Sequence, residues 1–209
     1  MTKPRTIHEQ FKEKCETALA HRLPRWEELP EIELYMDQVI AVMERYLSIY
    51  MPLSDGRIIT PSIINNYVKL KVIPAPKAKK YSRTHLAYLI VICILKQTLS
   101  IKSISGMINL GLETADIKTL YNTFCDSYEQ VAAETVNDAL HSVDVGKDRL
   151  YAAYSALTIK SSIISTTGRF LCESVVRLNE EAKALKQPEK PQEAKASAKP
   201  QQTKKAQAE

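Results

Sequence analysis

Residues Leu86 to Leu95, LAYLIVICIL, are ten consecutive residues without a charge, a glycine or a proline, and they constrain the fold of the chain more than any other stretch. Apolar side chains recur on every side of a 3.6-residue period, so a helix here has no face to give to water and must be wrapped by neighbours. Ser82 is placed to cap it, and the helix is expected from Arg83 to about Thr98 as the central core element. A bilayer span needs roughly 20 apolar residues, so a run of ten reads as core and not as membrane.

The charge pattern around this run is lopsided. From Gly56 to Leu112 there are nine Lys or Arg and no Asp or Glu. The flanks are acidic, −3 over residues 1–55 and −5 over 113–182, and residues 183–209 carry +4, so the formal net charge of +5 hides a +9 segment. Concentrated positive charge attracts polyanions by steering and counterion release, which points to nucleic acid.

The rest reads as helices divided by breakers. Residues 6–21 repeat Ile7, Phe11, Cys15, Ala18 and Leu19 at helical spacing, and Leu23-Pro24 ends that helix. The connector Arg25 to Pro30 carries Trp26, expected to pin it to the core. After Pro30, Glu31 and Glu33 suit a helix N-terminus, with Leu34, Val39 or Met36, Ile40, Met43 and Leu47 as its buried stripe. Met51-Pro52 stops it, and Ser54-Asp55-Gly56 reads as a turn.

Thr60-Pro61 then pairs a hydroxyl N-cap with proline at the first helical position. A helix over 61–70 would bury Ile64 and Val68, with Ile63 and Tyr67 as further candidates for burial, and expose Ser62, Asn65, Asn66 and Lys69. Pro74 and Pro76 make Lys71 to Lys80 a loop or, at most, a small two-stranded wing. Ser100 starts a helix through about Leu110, closed by Gly111. A long helix follows from Asp116 to near His141. Beyond a turn at Gly146 comes another, in which Leu150, Tyr154, Leu157, Ile164, Leu171, Val175 and Leu178 resemble a heptad seam. These two form a hairpin whose seam serves equally as an internal core or as a homodimer contact. Residues 183–209, rich in Lys, Ala, Gln and Pro, are expected to be a disordered basic tail.

Signatures of catalysis are missing: there is no glycine-rich phosphate loop, no HExxH and no GxSxG, and His8, His21, His85 and His141 are scattered, with His85 expected to face solvent or a phosphate. Cys15, Cys93, Cys125 and Cys172 lie far apart with no ligand spacing, so neither a disulfide framework nor a metal site is expected, nor any cofactor. Reduced thiols and a charged N-terminus without an apolar core fit a cytoplasmic, non-enzymatic protein. The acid-free window supplies the better chemistry. Asn can pair with an adenine edge in a major groove, and Lys77, Lys79, Lys80 and Arg83 can meet phosphates.

The string IINNYVKLKVIPAP followed by KKYSRTHLAYLIVICILKQTLSIKSI also resembles the DNA-binding head of the MerR family of bacterial transcription regulators. By that resemblance Asn65, Asn66, Tyr67 and Lys69 fall on the recognition helix and Lys71 at its end. Lys79, Lys80 and Tyr81 fall at the return of a wing. The chain departs from the pattern where Asn65 replaces an Arg, where Lys71 replaces a helix-ending Gly, and where the wing lacks its Gly-Tyr-Arg. Residues 23–110 look closer still to a bacterial family catalogued as a domain of unknown function.

The expectation is therefore an all-α chain with at most a small β-wing. It comprises a helix and connector over 1–30, a winged helix-turn-helix-like unit over 31–112, a hairpin over 113–182 and the tail. The expected partner is double-stranded DNA, read by Ser62, Asn65, Asn66, Tyr67 and Lys69 with phosphates held by Lys71, Lys77, Lys79, Lys80, Tyr81 and Arg83. The alternative is an interaction module whose basic face meets an acidic protein; RNA is a weaker third, since no exposed aromatics accompany the lysines.

Overall fold

The central helix starts on a capping box in which His85 takes the place that Glu or Gln usually holds: the Ser82 amide donates to His85 Nδ1 at 3.0 Å. In the computed structural model of the chain, which describes residues 5–53 and 58–186, seven α-helices follow one another among the described residues. They are α1 (Ile7–Ala20), α2 (Met36–Tyr46), α3 (Pro61–Lys69), α4 (Arg83–Leu95), α5 (Ile101–Leu112), α6 (Ile117–Ser142) and α7 (Leu150–Lys186). Short 3-10 turns at Trp26–Glu28 and Ser48–Leu53 link the first three. The fold is all-α.

α4 is buried as its composition demands. His85, Leu86, Ala87, Leu89, Ile90, Ile92, Cys93 and Ile94 are all in the interior, each large apolar side chain contributing about 1.5–3 kcal/mol of burial. α2, α5 and α6 pack around it. The stripe Leu34, Val39, Met43 and Leu47 of the α2 segment closes one side, and Ile104 of α5 and Tyr121 and Cys125 of α6 close another. α1 lies along α6, and the connector that follows α1 is fixed to α6 by a two-pronged ion pair in which Arg25 donates to both Glu129 oxygens at 3.0 and 2.9 Å. Trp26 does pin the connector, through its ring and through its amide, which donates to Asn122 Oδ1.

Several expectations need correction. α2 begins at Met36 with Asp37 in its first turn, so Glu31 and Glu33 lie ahead of it, exposed. Ile7 is 59% exposed and Leu19 38%, and of the α1 stripe only Cys15 is fully buried. Gly111 does not close α5 but lies inside it, where a Cβ would sit 3.1 Å from Leu120. Gly106, earlier in the same helix, is the close crossing of α5 and α7, since a Cβ there would overlap Val176. α7 runs to Lys186, past the boundary placed at Ala182. The tail from 187 and the turn at Ser54-Asp55-Gly56 lie outside the described residues.

Candidate nucleic-acid interface

α3 is built by its cap. Thr60 Oγ1 accepts from the Ile63 amide, Pro61 fills the first helical position, and Ile64 and Tyr67 face the core with Ile63 and Val68 half-buried beside them. Ser62, Asn65, Asn66 and Lys69, spaced three, one and three apart, therefore share the opposite side and are exposed.

The helix ends in a Schellman motif without its usual glycine. The Val72 amide donates to the Tyr67 carbonyl and the Lys71 amide to that of Val68, both at 3.0 Å, while Lys71 holds the left-handed conformation at φ 57°. Val72 and Ile73 then bury, which anchors the start of the basic loop. The expected wing reduces to one tight turn. Lys77 and Lys80 form a single antiparallel bridge, the Lys80 amide donating to the Lys77 carbonyl at 2.8 Å, across Ala78 and Lys79 at φ 48° and 63°. Positive φ at both central residues is the geometry of a type I′ turn, which normally recruits Asn-Gly. Lys71, Ala78 and Lys79 are thus three left-handed non-glycine residues within the basic loop, each at a cost of about 1–2 kcal/mol.

The return of this turn is held on the body, not on its own outgoing arm. Leu34 and Tyr81 exchange backbone hydrogen bonds at 2.9 and 2.8 Å. Beneath the loop, His85 is buried with Tyr81 edge-on to its ring at a centroid distance of 5.4 Å. Burial holds the imidazole pKa below its ordinary value, with the nearby carbonyls of Ala75 and Pro74 opposing that shift. His85 is thus neither at the solvent nor free for a phosphate.

Of the residues expected to contact DNA, the structure exposes Ser62, Asn65, Asn66, Lys69, Lys71, Lys77 and Lys79. Lys80 is half-buried, its ammonium 5.5 Å from the centre of the Tyr35 ring. Three others are corrected. Tyr67 is a core residue whose phenol burial pushes up to about 12, and Tyr81 is a core residue behind the turn. Arg83 is committed to the N-terminal connector: its Nε donates to the Leu29 carbonyl at 3.1 Å, its Nη2 is 3.3 Å from Glu31, and it stacks over Trp26. Among the described residues, Lys69, Lys71, Lys77 and Lys79 have no carboxylate partner, whereas Lys102 of the same window pairs with Glu180.

No cluster of three or more metal-ligating side chains occurs among the described residues, and none of their helices is long and apolar enough to cross a membrane. A cleft of about 270 Å³ between α4, α5 and α6 is lined by Tyr88, Val91, Met107, Ile108 and Phe124 and carries no charged group.

Residues 24–124 match the model of a family described as a domain of unknown function, DUF1836. The match takes in α2 to α5, the basic loop and the first part of α6, so core and exposed lysines fall in one unit that is wider at both ends than the unit expected over 31–112. No curated protein and no solved structure gives a significant match.

Proposed function

We propose that the chain binds double-stranded DNA as a transcriptional regulator, laying the Ser62, Asn65, Asn66 and Lys69 side of α3 in a major groove and setting Lys71, Lys77 and Lys79 on the flanking phosphates. The observation that carries this reading is the co-location of exposed lysines, unpaired among the described residues, with a capped helix presenting two asparagines, in a window from Gly56 to Leu112 without a carboxylate. Lysine at left-handed positions adds support. Glycine would relieve the backbone at Lys71 and Lys79, so keeping the charge there costs stability that a phosphate contact would offset. The resemblance to MerR-like heads favours the same orientation of α3 as the reading helix.

The alternative is an acidic protein partner on the same lysines, and the exposed asparagines speak against it, because a purely electrostatic dock has no use for them. A competition experiment separates the two. A labelled duplex of about 20–30 base pairs, long enough to offer a groove and its flanking phosphates, is bound by the full chain and challenged either with unlabelled duplex or with a poly-glutamate peptide of equal charge. Displacement by duplex alone supports the DNA reading; displacement by the peptide at equal or lower concentration overturns it.

A further inference from the structure

The heptad seam of α7 is divided by the fold into two halves with different surroundings. Leu150, Leu157, Ile164, Leu171, Leu178 and Leu185 recur at steps of seven, the d positions of a coiled coil, with Tyr154, Gly168, Val175 and Ala182 among the a positions. Leu150 and Leu157 are half-buried, and Tyr154 packs edge-on against Phe11 of α1 with its hydroxyl 3.0 Å from His8 Nδ1. From residue 158 to 171 every side chain is exposed. When α7 meets the body again it does so on a different face: Val176 lies against Gly106 of α5, Glu180 pairs with Lys102 of α5, Lys183 pairs with Glu113 just beyond it, and Cys172 packs against the core. The seam itself stays open: Ile164 is 49% exposed, Leu171 58%, Val175 55%, Leu178 63% and Leu185 88%.

We infer that residues 164–185 of α7 pair with the same segment of a second copy of this chain, so that the protein is a two-fold dimer closed by the Ile164, Leu171, Val175, Leu178 and Leu185 stripe.

Four observations select a second copy as the occupant. The first is size. The five stripe residues leave on the order of 600 Å² of apolar side chain open, at the top of the roughly 300–600 Å² range of the largest patch on an ordinary monomer. Secondly, the stripe has no charge to offer an ionic partner. The charged residues around it are engaged within the chain: Lys160 with Asp138, Arg169 with Glu173, Arg177 with Glu181, and Lys183 with Glu113. Thirdly, a Cβ at Gly168 would meet nothing within 4 Å, so this a position has room for a partner helix to approach. Finally, residues 187–209 contain no Leu, Ile, Val, Met or aromatic and so offer no large apolar side chain to cover the stripe.

This inference rests on α7 and not on the nucleic-acid reading of α3, and it is tested without DNA. The full chain at tens of micromolar is sized by sedimentation equilibrium beside a Leu171→Glu/Leu178→Glu variant, with circular dichroism to compare helix content. Both leucines are exposed in the single chain, so the variant should keep its helix signal. The expected result is twice the 23.6 kDa chain mass for the wild type and a twofold drop to that mass for the variant. A monomeric wild type overturns the inference, as does a variant that remains dimeric. If the variant loses its helix signal, a Leu178→Ser variant replaces it, and the wild-type mass alone still decides whether a dimer exists.

Discussion

Leu34 and Tyr81, far apart in the chain, exchange a pair of backbone hydrogen bonds at 2.9 and 2.8 Å, and this bridge fastens the return of the basic turn to the segment that enters α2. Because Tyr81 is 3% exposed and packs edge-on against His85, its job is to fill space behind the turn. Tyr81→Ala should therefore destabilise the fold by about 3–5 kcal/mol, as truncating a core aromatic does. Tyr81→Phe should leave both the melting temperature and duplex affinity within error of the wild type. A Phe variant that folds normally but binds duplex far more weakly would return this residue to the interface.

The left-handed Lys71 links stability and binding in opposite directions. Lys71→Gly removes a backbone cost of about 1–2 kcal/mol, of which roughly 0.5–1 is offset by the freer unfolded chain, so a gain of about 0.5–1 kcal/mol is expected in urea denaturation. The same change removes one exposed cation and should weaken duplex binding. Stability and affinity measured on one preparation check both signs.

His85 makes stability depend on pH. Burial holds its folded pKa below the ordinary 6.5, so the unfolded chain takes up the proton first as pH falls. Stability is fully present above about pH 6.5 and is lost as pH drops through the folded pKa, where protonation of Nδ1 also breaks the hydrogen bond from the Ser82 amide. His21, lowered by burial against the raising effect of Glu129, acts in the same sense. His85→Gln, which keeps a capping-box acceptor, should hold neutral-pH stability close to the wild type and flatten the fall between about pH 7 and 5 in thermal melts. An unchanged pH profile would remove His85 from this role.

The architecture is legible in the sequence wherever one physical term dominates. An apolar run without charge leaves α4 no choice but burial, and Thr60-Pro61 and Asp116 place the starts of α3 and α6 at the observed residues. Legibility fails where amphipathic residues take sides by tertiary context. Tyr67 and Tyr81 have a polar end that suits a groove and a ring that suits a core, and the core takes both. Arg83 reads as a free cation in its own stretch of sequence, but the fold brings Glu31 and the Leu29 carbonyl to it from the distant connector. The left-handed turn at Ala78 and Lys79 is hidden because neither residue favours positive φ. The seam of α7 is readable from its spacing, but which half stays uncovered depends on where α1 and α5 dock.

The most direct test of phosphate binding is the salt dependence of duplex affinity for the wild type and for Lys69→Gln/Lys77→Gln/Lys79→Gln, three exposed lysines whose removal leaves the core intact. Log affinity should fall linearly with log salt, and the variant should bind more weakly with a slope shallower by roughly 0.9 for each phosphate that its missing lysines would have neutralised. Equal affinity and equal slope for the two proteins, or a wild type that does not bind duplex at low salt, would contradict it.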